Sequence, residues 1–164
     1  GPLTWLRVGG PAELLFQPAD VDDLAAFLTA LPPDVPVLPM GVASNLLVRD
    51  GGIVGVVVRF GGPLAKVAVE DGLVVAGAGA LDQRVAQLAQ KAGLSGLEFF
   101  IGIPGTIGGA VRMNAGGHGS DMAAVVRRVR VVDLCVGNDV TMAAGDLGFA
   151  YRGSRVRPRR ADRP

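Results

Sequence analysis

Glycine content is the feature of this sequence that most restricts its possible folds. Twenty-five of the 164 residues are glycine, and they are densest between Gly102 and Gly119. Glycine loses more conformational freedom on folding than any other residue, so such a segment is destabilising unless the backbone must turn tightly or approach another group closely. We therefore expect tight turns and at least one place where the backbone lies against a flat ligand.

The rest of the composition indicates one globular domain with an aliphatic interior. The length matches about one domain, and the aromatic residues are six Phe, one Trp and one Tyr. A single cysteine, Cys135, excludes an internal disulfide, and a single histidine argues against a histidine-rich metal site or a triad hydrolase. No apolar run approaches the roughly 18 residues that a membrane span requires. These features predict a soluble, cytoplasmic protein with no metal site and no membrane contact.

Positive charge is concentrated at the end of the chain. The formal net charge is +1, but residues 152–164 hold six arginines against Asp162, which leaves ten bases and fourteen acids, a balance of −4, elsewhere. A basic segment without interleaved aromatic residues or a nucleic-acid-binding motif is typical of a solvated tail. We predict that residues 155–164 form a disordered basic tail and that the chain binds no nucleic acid.

Hydrophobic periodicity in the first part of the chain predicts a small parallel βαβ unit. Glu13–Gln17 and Val37–Met40 have the pattern of short strands, Asp20 is a suitable N-cap for a helix between them, and a third strand follows. We interpret residues up to about 61 as one lobe. The apolar face of the helix recurs at i, i+3, i+4 and i+7, as Leu24, Phe27, Leu28 and Leu31.

The pattern changes after residue 61, and an antiparallel lobe is expected over about 62–154. Asp71 and Gly72 separate two short apolar runs, which is typical of a type I′ hairpin because both positions need a positive φ. An amphipathic helix follows and is predicted to end at Gly93. Val125–Leu134 is predicted to be a strand that pairs with Val136–Thr141.

Two glycine-rich loops are the candidate ligand-binding segments. The first runs from Gly41 to Asn45, where small residues leave backbone amides open to an anion and Ser44 adds a side-chain donor. A turn with Ser and Asn between strands is also common for purely local reasons. The second is the block from Gly102 to Gly119, in which Thr106 is suited to cap a short helix whose first amides would point toward a phosphate or a flavin carbonyl.

Two familiar nucleotide-binding motifs are absent. Gly77-Ala78-Gly79 continues as Ala80-Leu81-Asp82, so the third glycine of a Rossmann turn is missing. The sequence also lacks the Gly-Lys-Ser/Thr of a P-loop. Neither the usual dinucleotide-binding fold nor an NTPase is supported.

Four segments, in their order along the chain, resemble those of UDP-N-acetylenolpyruvoylglucosamine reductases. They are TWLRVGGPA at 4–12, SNLLVRDGG at 44–52, the glycine block at 102–119 and FAYRGS at 149–154, which contains the Tyr-Arg-x-Ser motif of that family. The matches span residues 4–154, nearly the whole chain.

The resemblance implies an α+β fold, namely a two-lobed FAD-binding domain of the vanillyl-alcohol oxidase type over residues 1–154. The loop at Ser44-Asn45 and the Gly105-Thr106 region would hold the diphosphate, and the isoalloxazine would lie against the second glycine block. The cofactor-binding residues implied in this way are Gly41, Val42, Ala43, Ser44, Asn45, Gly105, Thr106, Gly108, Gly109, Asn114 and Gly116.

The activity implied by the resemblance is the reduction of UDP-N-acetylenolpyruvoylglucosamine to UDP-N-acetylmuramate for peptidoglycan synthesis, with FAD as cofactor and NADPH as electron donor. Arg152 would be catalytic, because a permanent cation with a planar donor fork suits the negative charge that develops on the substrate. Tyr151, Ser154 and His118 would bind the UDP-sugar. The full-length protein is expected to be a monomer.

This sequence also departs from the family. Ala43 stands where the family usually has glycine, and His118 where it usually has tyrosine. Ala43 at a positive φ would cost on the order of 1 kcal/mol, and its methyl group is expected to crowd the diphosphate. The family's proton-donating serine and its C-terminal glutamate lie beyond residue 164, so we expect the substrate-binding lobe to be absent and this chain to be inactive alone. Two alternatives stay open, a flavin oxidase or dehydrogenase of the same fold and a truncated product without catalytic function.

Overall fold

The structure is a computed structural model that describes residues 1–132 and 139–156. Cys135, most of the predicted tail and part of the predicted strand Val136–Thr141 lie outside these residues. The strands are β1 (Ala12–Phe16), β2 (Val37–Met40), β3 (Ile53–Arg59), β4 (Val67–Glu70), β5 (Leu73–Ala76), β6 (Gly116–Gly117), β7 (Ser120–Asp121), β8 (Arg128–Val132) and β9 (Asp139–Ala143). The α-helices are α1 (Val21–Ala30), α2 (Asp82–Lys91), α3 (Ile107–Met113) and α4 (Met122–Val125).

The first lobe, β1 to β3 with α1, is a three-stranded parallel sheet in the order β1-β3-β2. The central strand β3 is buried on both faces, which explains its continuous run of valines. Val56 and Val58 face Leu24 and Leu28 of α1 on one side of the sheet. Val57 is buried on the other side with Met40 and Ala43.

Helix α1 begins where the sequence predicts. Asp20 has an extended backbone, and its carboxylate accepts a hydrogen bond of 2.8 Å from the amide of Asp23. This bond satisfies one of the amides that have no partner within the helix. The predicted N-cap and the predicted βαβ order are confirmed.

The second lobe, from β4 onward, contains only antiparallel strand pairs among the residues that the structure describes. Strands β4 and β5 form the predicted hairpin, and Asp71 (φ 49°) and Gly72 (φ 73°) both have the positive φ of a type I′ turn. The core of this lobe packs α2 against a 3-10 helix at Glu98–Gly102, where the rings of Phe99 and Phe100 stack at 4.2 Å.

One predicted element is wrong at its start. Val125 does not begin a strand but ends the short helix α4, because the carboxylate of Asp121 caps that helix by accepting from the amide of Ala124 at 3.1 Å. The strand begins at Arg128 and pairs with β9. Within 1–132 and 139–156, every helix is too short or too polar to cross a bilayer.

Candidate cofactor site

The first glycine-rich loop follows β2 directly. Ala43 has a φ of 55°, so the positive φ predicted there is confirmed. Its side chain is only 6% exposed and packs in the cluster with Met40 and Val57. The methyl group therefore packs into the first lobe, and this burial does not support the expectation that it crowds a diphosphate.

The polar residues of this loop remain at the surface. Ser44 is half-buried and Asn45 is exposed. Neither side chain has a hydrogen-bond partner within the described part of the chain. Both are therefore free to donate hydrogen bonds to an anion.

The two glycine-rich segments meet at Thr106. A Cβ atom built on Gly41 would lie only 2.1 Å from the Thr106 hydroxyl oxygen Oγ1. Gly109, the third residue of α3, is exposed, and a Cβ on it would lie 3.9 Å from the same oxygen and within 4 Å of no other described atom. The loop after β2 and the open backbone of α3 are therefore neighbours on either side of one hydroxyl group.

The start of α3 is bonded to the segment before α2. The amides of Ile107 and Gly108 each donate a hydrogen bond of 2.9 Å, to the carbonyls of Ala80 and Ala78 respectively. Thr106 occupies the N-cap position, as predicted, but its side chain makes no capping hydrogen bond. The expectation that the first amides of this helix are open to a phosphate was wrong for these two residues, because the protein's own carbonyls accept from them.

The remaining glycines of the second block separate into two groups. Added Cβ atoms on Gly105, Gly108 and Gly116 would lie 2.6 to 3.0 Å from Asp82, Ala78 and Asp121 respectively, so close packing within the chain explains these three. Gly109, Gly117 and Gly119 form the second group, because a Cβ on them would meet at most the Thr106 hydroxyl among the described residues, and Gly102 would meet only the ring of His118. The second group leaves bare backbone for a flat ligand.

These observations test whether the residues present fit FAD. The bare backbone at Gly109 suits a planar ring, and the unbonded donors of Ser44 and Asn45 suit a diphosphate. Thr106 joins the two surfaces. The residues at the junction of the two lobes fit the cofactor.

The side chain of Asn114 is fully engaged with the protein. Its Nδ2 donates to Asp121 Oδ2 at 3.1 Å and to the carbonyl of Ala150 at 3.2 Å, and its Oδ1 accepts from the amide of Ala123 at 3.0 Å. An amide nitrogen has two protons, so none is left for a cofactor. The predicted cofactor contact is therefore not supported for this side chain, which instead joins α3, α4 and the Ala150 turn.

Asn114 fixes the turn that carries the predicted catalytic residue. Ala150 and Gly153 exchange backbone hydrogen bonds of 2.9 and 3.1 Å, and Arg152 has a φ of 55°. Tyr151 is 91% exposed, and the Arg152 guanidinium carbon lies 5.6 Å from its ring centroid. Both side chains are accordingly displayed at the surface.

The other two predicted substrate contacts lie in different surroundings. Ser154 is 6% exposed, and its hydroxyl donates to the carbonyl of Arg112 at 3.1 Å, so it holds the end of the turn against α3. His118 is exposed at φ 53° in the turn between β6 and β7. It lines a shallow depression that also includes Glu98 and Ser120. Ser154 is therefore buried, whereas Tyr151 and Arg152 of the same motif are exposed.

Asp82 is a buried polar residue near the candidate site that was not among the site residues predicted from the sequence. This residue is 1% exposed, and neither carboxyl oxygen has a hydrogen-bond partner among the described residues. Burial raises the pKa of Asp82 to about 7. The sequence contained a signal, because an acid three and seven positions before Val85 and Ala89 lies on the apolar face of the helix.

Comparison with known proteins identifies the fold. A model of the FAD binding domain family matches residues 12–142. UDP-N-acetylenolpyruvoylglucosamine reductases from Paramagnetospirillum magneticum and Acidiphilium cryptum are 56% and 55% identical over 94% and 95% of the chain, but only 50% of each relative is covered. The chain therefore spans about half the length of the curated relatives it matches. The resemblance seen in the four motifs is confirmed.

Solved structures show the same similarity. The crystal structure of UDP-N-acetylenolpyruvylglucosamine reductase from Thermus caldophilus superposes with a TM-score of 0.80 at 38% identity, covering 94% of this chain and 54% of that one. CO dehydrogenase from Oligotropha carboxidovorans gives a TM-score of 0.60 at 20% identity, over 92% of this chain and 57% of that one, and shows the fold alone. The predicted two-lobed α+β fold is confirmed. Because the family model covers most of its length, this chain belongs to the FAD binding domain family.

Proposed function

We propose that this chain binds FAD at the junction of its two lobes and forms the flavin-binding part of a UDP-N-acetylenolpyruvoylglucosamine reductase. The observation that supports the site is the position of Thr106, between the loop after β2 and the bare backbone of Gly109. Family membership supports the identity of the cofactor. The 55–56% identical relatives support the reaction.

The residues at the junction have distinct roles in this proposal. Ser44 and Asn45 donate hydrogen bonds to the diphosphate, and Gly109 and Gly117 allow the ring to approach the backbone. Thr106 holds the two segments at a fixed separation, because its hydroxyl fills the space beside Gly41. The flavin, when bound, supplies the hydride chemistry, and the protein supplies orientation and electrostatics.

For the whole protein, we propose that NADPH is the electron donor, that a UDP-sugar is the substrate and that the product serves peptidoglycan synthesis in the cytoplasm. Arg152 carries a permanent positive charge on an exposed turn, where it can stabilise negative charge on the substrate. Tyr151 lies beside it and extends the same surface. The protein acts as a monomer in this proposal.

FAD binding is tested with the purified chain. After incubation with FAD and desalting, the protein should keep the visible flavin absorption, and titration calorimetry should give one site per chain. The double variant Ser44→Ala, Asn45→Ala should weaken binding by about tenfold or more, since two hydrogen bonds to a charged group are lost. Thr141→Ala, at an exposed position on the distant strand β9, is the matched control and should bind as the unsubstituted chain does. Colourless protein with no heat of binding would refute the proposal.

A further inference from the structure

A buried carboxyl group lies directly behind the proposed cofactor site. Asp82 is the first residue of α2, on the face that also carries Val85 and Ala89. It is 1% exposed, and neither of its carboxyl oxygens has a hydrogen-bond partner among the described residues. Buried polar groups nearly always have a partner, so an exception requires a functional or structural explanation.

The carboxyl group faces the loop that precedes α3. A Cβ built on Gly105 would lie 2.6 Å from Asp82 Oδ2. The backbone amide of Asp82 also donates to the carbonyl of Gly105 at 3.2 Å. The next residue along the chain is Thr106, which contacts Gly41 of the first lobe. A change in the Asp82 side chain would therefore be transmitted to the junction of the two lobes.

The surroundings favour the neutral form of this carboxyl group. The charged side chains on the elements that pack around it include Arg84 and Lys91 of α2, Glu98 of the 3-10 helix and Glu70 of β4. No charged neighbour within the described residues contributes to the shifted pKa, and burial alone raises the pKa of Asp82 to about 7. The position in the first turn of α2 favours the ionised form, but burial outweighs it.

We propose that Asp82 is a positioning residue of the cofactor site and that its carboxyl group must keep its proton for FAD to bind. The inference rests on the proposed FAD site. A protonated Asp82 leaves the loop at Gly105 packed as observed. An ionised one would place a negative charge beside the loop that carries Thr106, at the junction where we place the FAD diphosphate, and it would draw water or a cation toward the contact with Gly105.

The experiment measures the dissociation constant of FAD, by quenching of flavin fluorescence, from about pH 5.5 to about pH 8.5. For the unsubstituted chain, affinity should fall by about tenfold for each pH unit above the pKa of the carboxyl group. Asp82→Asn keeps the shape and cannot ionise, so its affinity should be constant over this range. Asp71→Asn makes the same chemical change at an exposed turn position outside the candidate site, so it is the matched control and should keep the slope.

The outcomes separate this inference from the proposed function. Two results would overturn the role of Asp82 and leave the FAD site intact. One is an FAD affinity that does not change with pH in the unsubstituted chain, and the other is a pH dependence of affinity that persists in Asp82→Asn. No binding at any pH overturns both. If Asp82→Asn does not fold, ¹³C NMR of the unsubstituted protein with labelled carboxyl groups follows the titration of its aspartates instead. One aspartate should then titrate near neutrality, with a pKa that FAD raises further, and titration of every aspartate in the ordinary acidic range would refute the inference.

Discussion

Gly41 and Thr106 touch across the two lobes with no room for a side chain between them. A Cβ on Gly41 would lie 2.1 Å from Thr106 Oγ1 and 3.0 Å from its Cβ. The first residue directly follows β2 of the parallel sheet, and the second is the N-cap of α3 in the antiparallel lobe. Their contact fixes the separation of the two surfaces that we assign to FAD.

Substituting Gly41→Ala should force the lobes apart. Thr106 is buried, so moving it aside would disturb the packing around it, and we expect a loss of about 1–3 kcal/mol in the free energy of unfolding. FAD affinity should fall as well. Urea denaturation and calorimetry check the two effects. Gly51→Ala is the matched control, because a Cβ there meets nothing within 4 Å and its φ is not positive, and it should change neither quantity.

Gly109→Ala should have opposite effects on the fold and on the ligand. Alanine is a better helix former, so stability should rise by about 0.5–1 kcal/mol. The added methyl group points into open space where we place the cofactor, so the dissociation constant of FAD should increase by about tenfold or more. Gly145→Ala, also in open space but in the 3-10 helix Ala144–Leu147 outside the candidate site, should leave FAD binding unchanged. Unaltered affinity in Gly109→Ala would exclude this surface as the ring site.

Ala43→Gly should neither stabilise the chain greatly nor improve FAD binding. Glycine relieves the positive φ, worth about 1 kcal/mol, but it removes a buried methyl group worth about 0.8 kcal/mol. The net change in stability should be within about 0.5 kcal/mol. Because the methyl group packs on Met40 and Val57, its removal opens no space for the diphosphate. A marked gain in FAD affinity by calorimetry would contradict this reading.

Asn114→Ala should be the most destabilising of these changes. It removes three hydrogen bonds and leaves alanine at a φ of 44°, for a combined loss of about 2–4 kcal/mol. Asn114→Gly loses the same bonds without the backbone strain and should be about 1 kcal/mol more stable than Asn114→Ala. Amide hydrogen exchange of Gly153 should accelerate in both variants, since its turn is released from α3. If the two variants were equally stable, strain of alanine at the positive φ would not contribute to the loss.

The unliganded chain should lose stability as pH rises toward neutrality. The pKa of Asp82 is about 7 in the folded state and about 3.9 in an unfolded chain. The folded state therefore holds a proton that the unfolded state releases, so the stabilisation is complete below about pH 4 and is lost as pH rises to about 7. The total is about 4 kcal/mol. Thermal melts of the unsubstituted chain and of Asp82→Asn should diverge over this range, and parallel profiles would contradict the expectation.

Local interactions were readable from the sequence. The Asp20 cap, the Asp71-Gly72 turn and the order of strands and helices up to α2 each depend on φ values or on contacts within four residues. The four motifs likewise lie in continuous segments. The sequence by itself therefore determined the element types, the two-lobed class and the segments that meet at the candidate site.

Only the tertiary structure decided what those segments do. It divided the glycines into those that pack, such as Gly41, and those that stay open, such as Gly109. It gave Asn114 and Ser154 hydrogen bonds that support the Tyr151–Arg152 turn, and it placed beside the Gly105 loop a carboxyl group without a partner among the described residues. These outcomes depend on distances between residues that are far apart in the chain, and a linear pattern does not specify such distances.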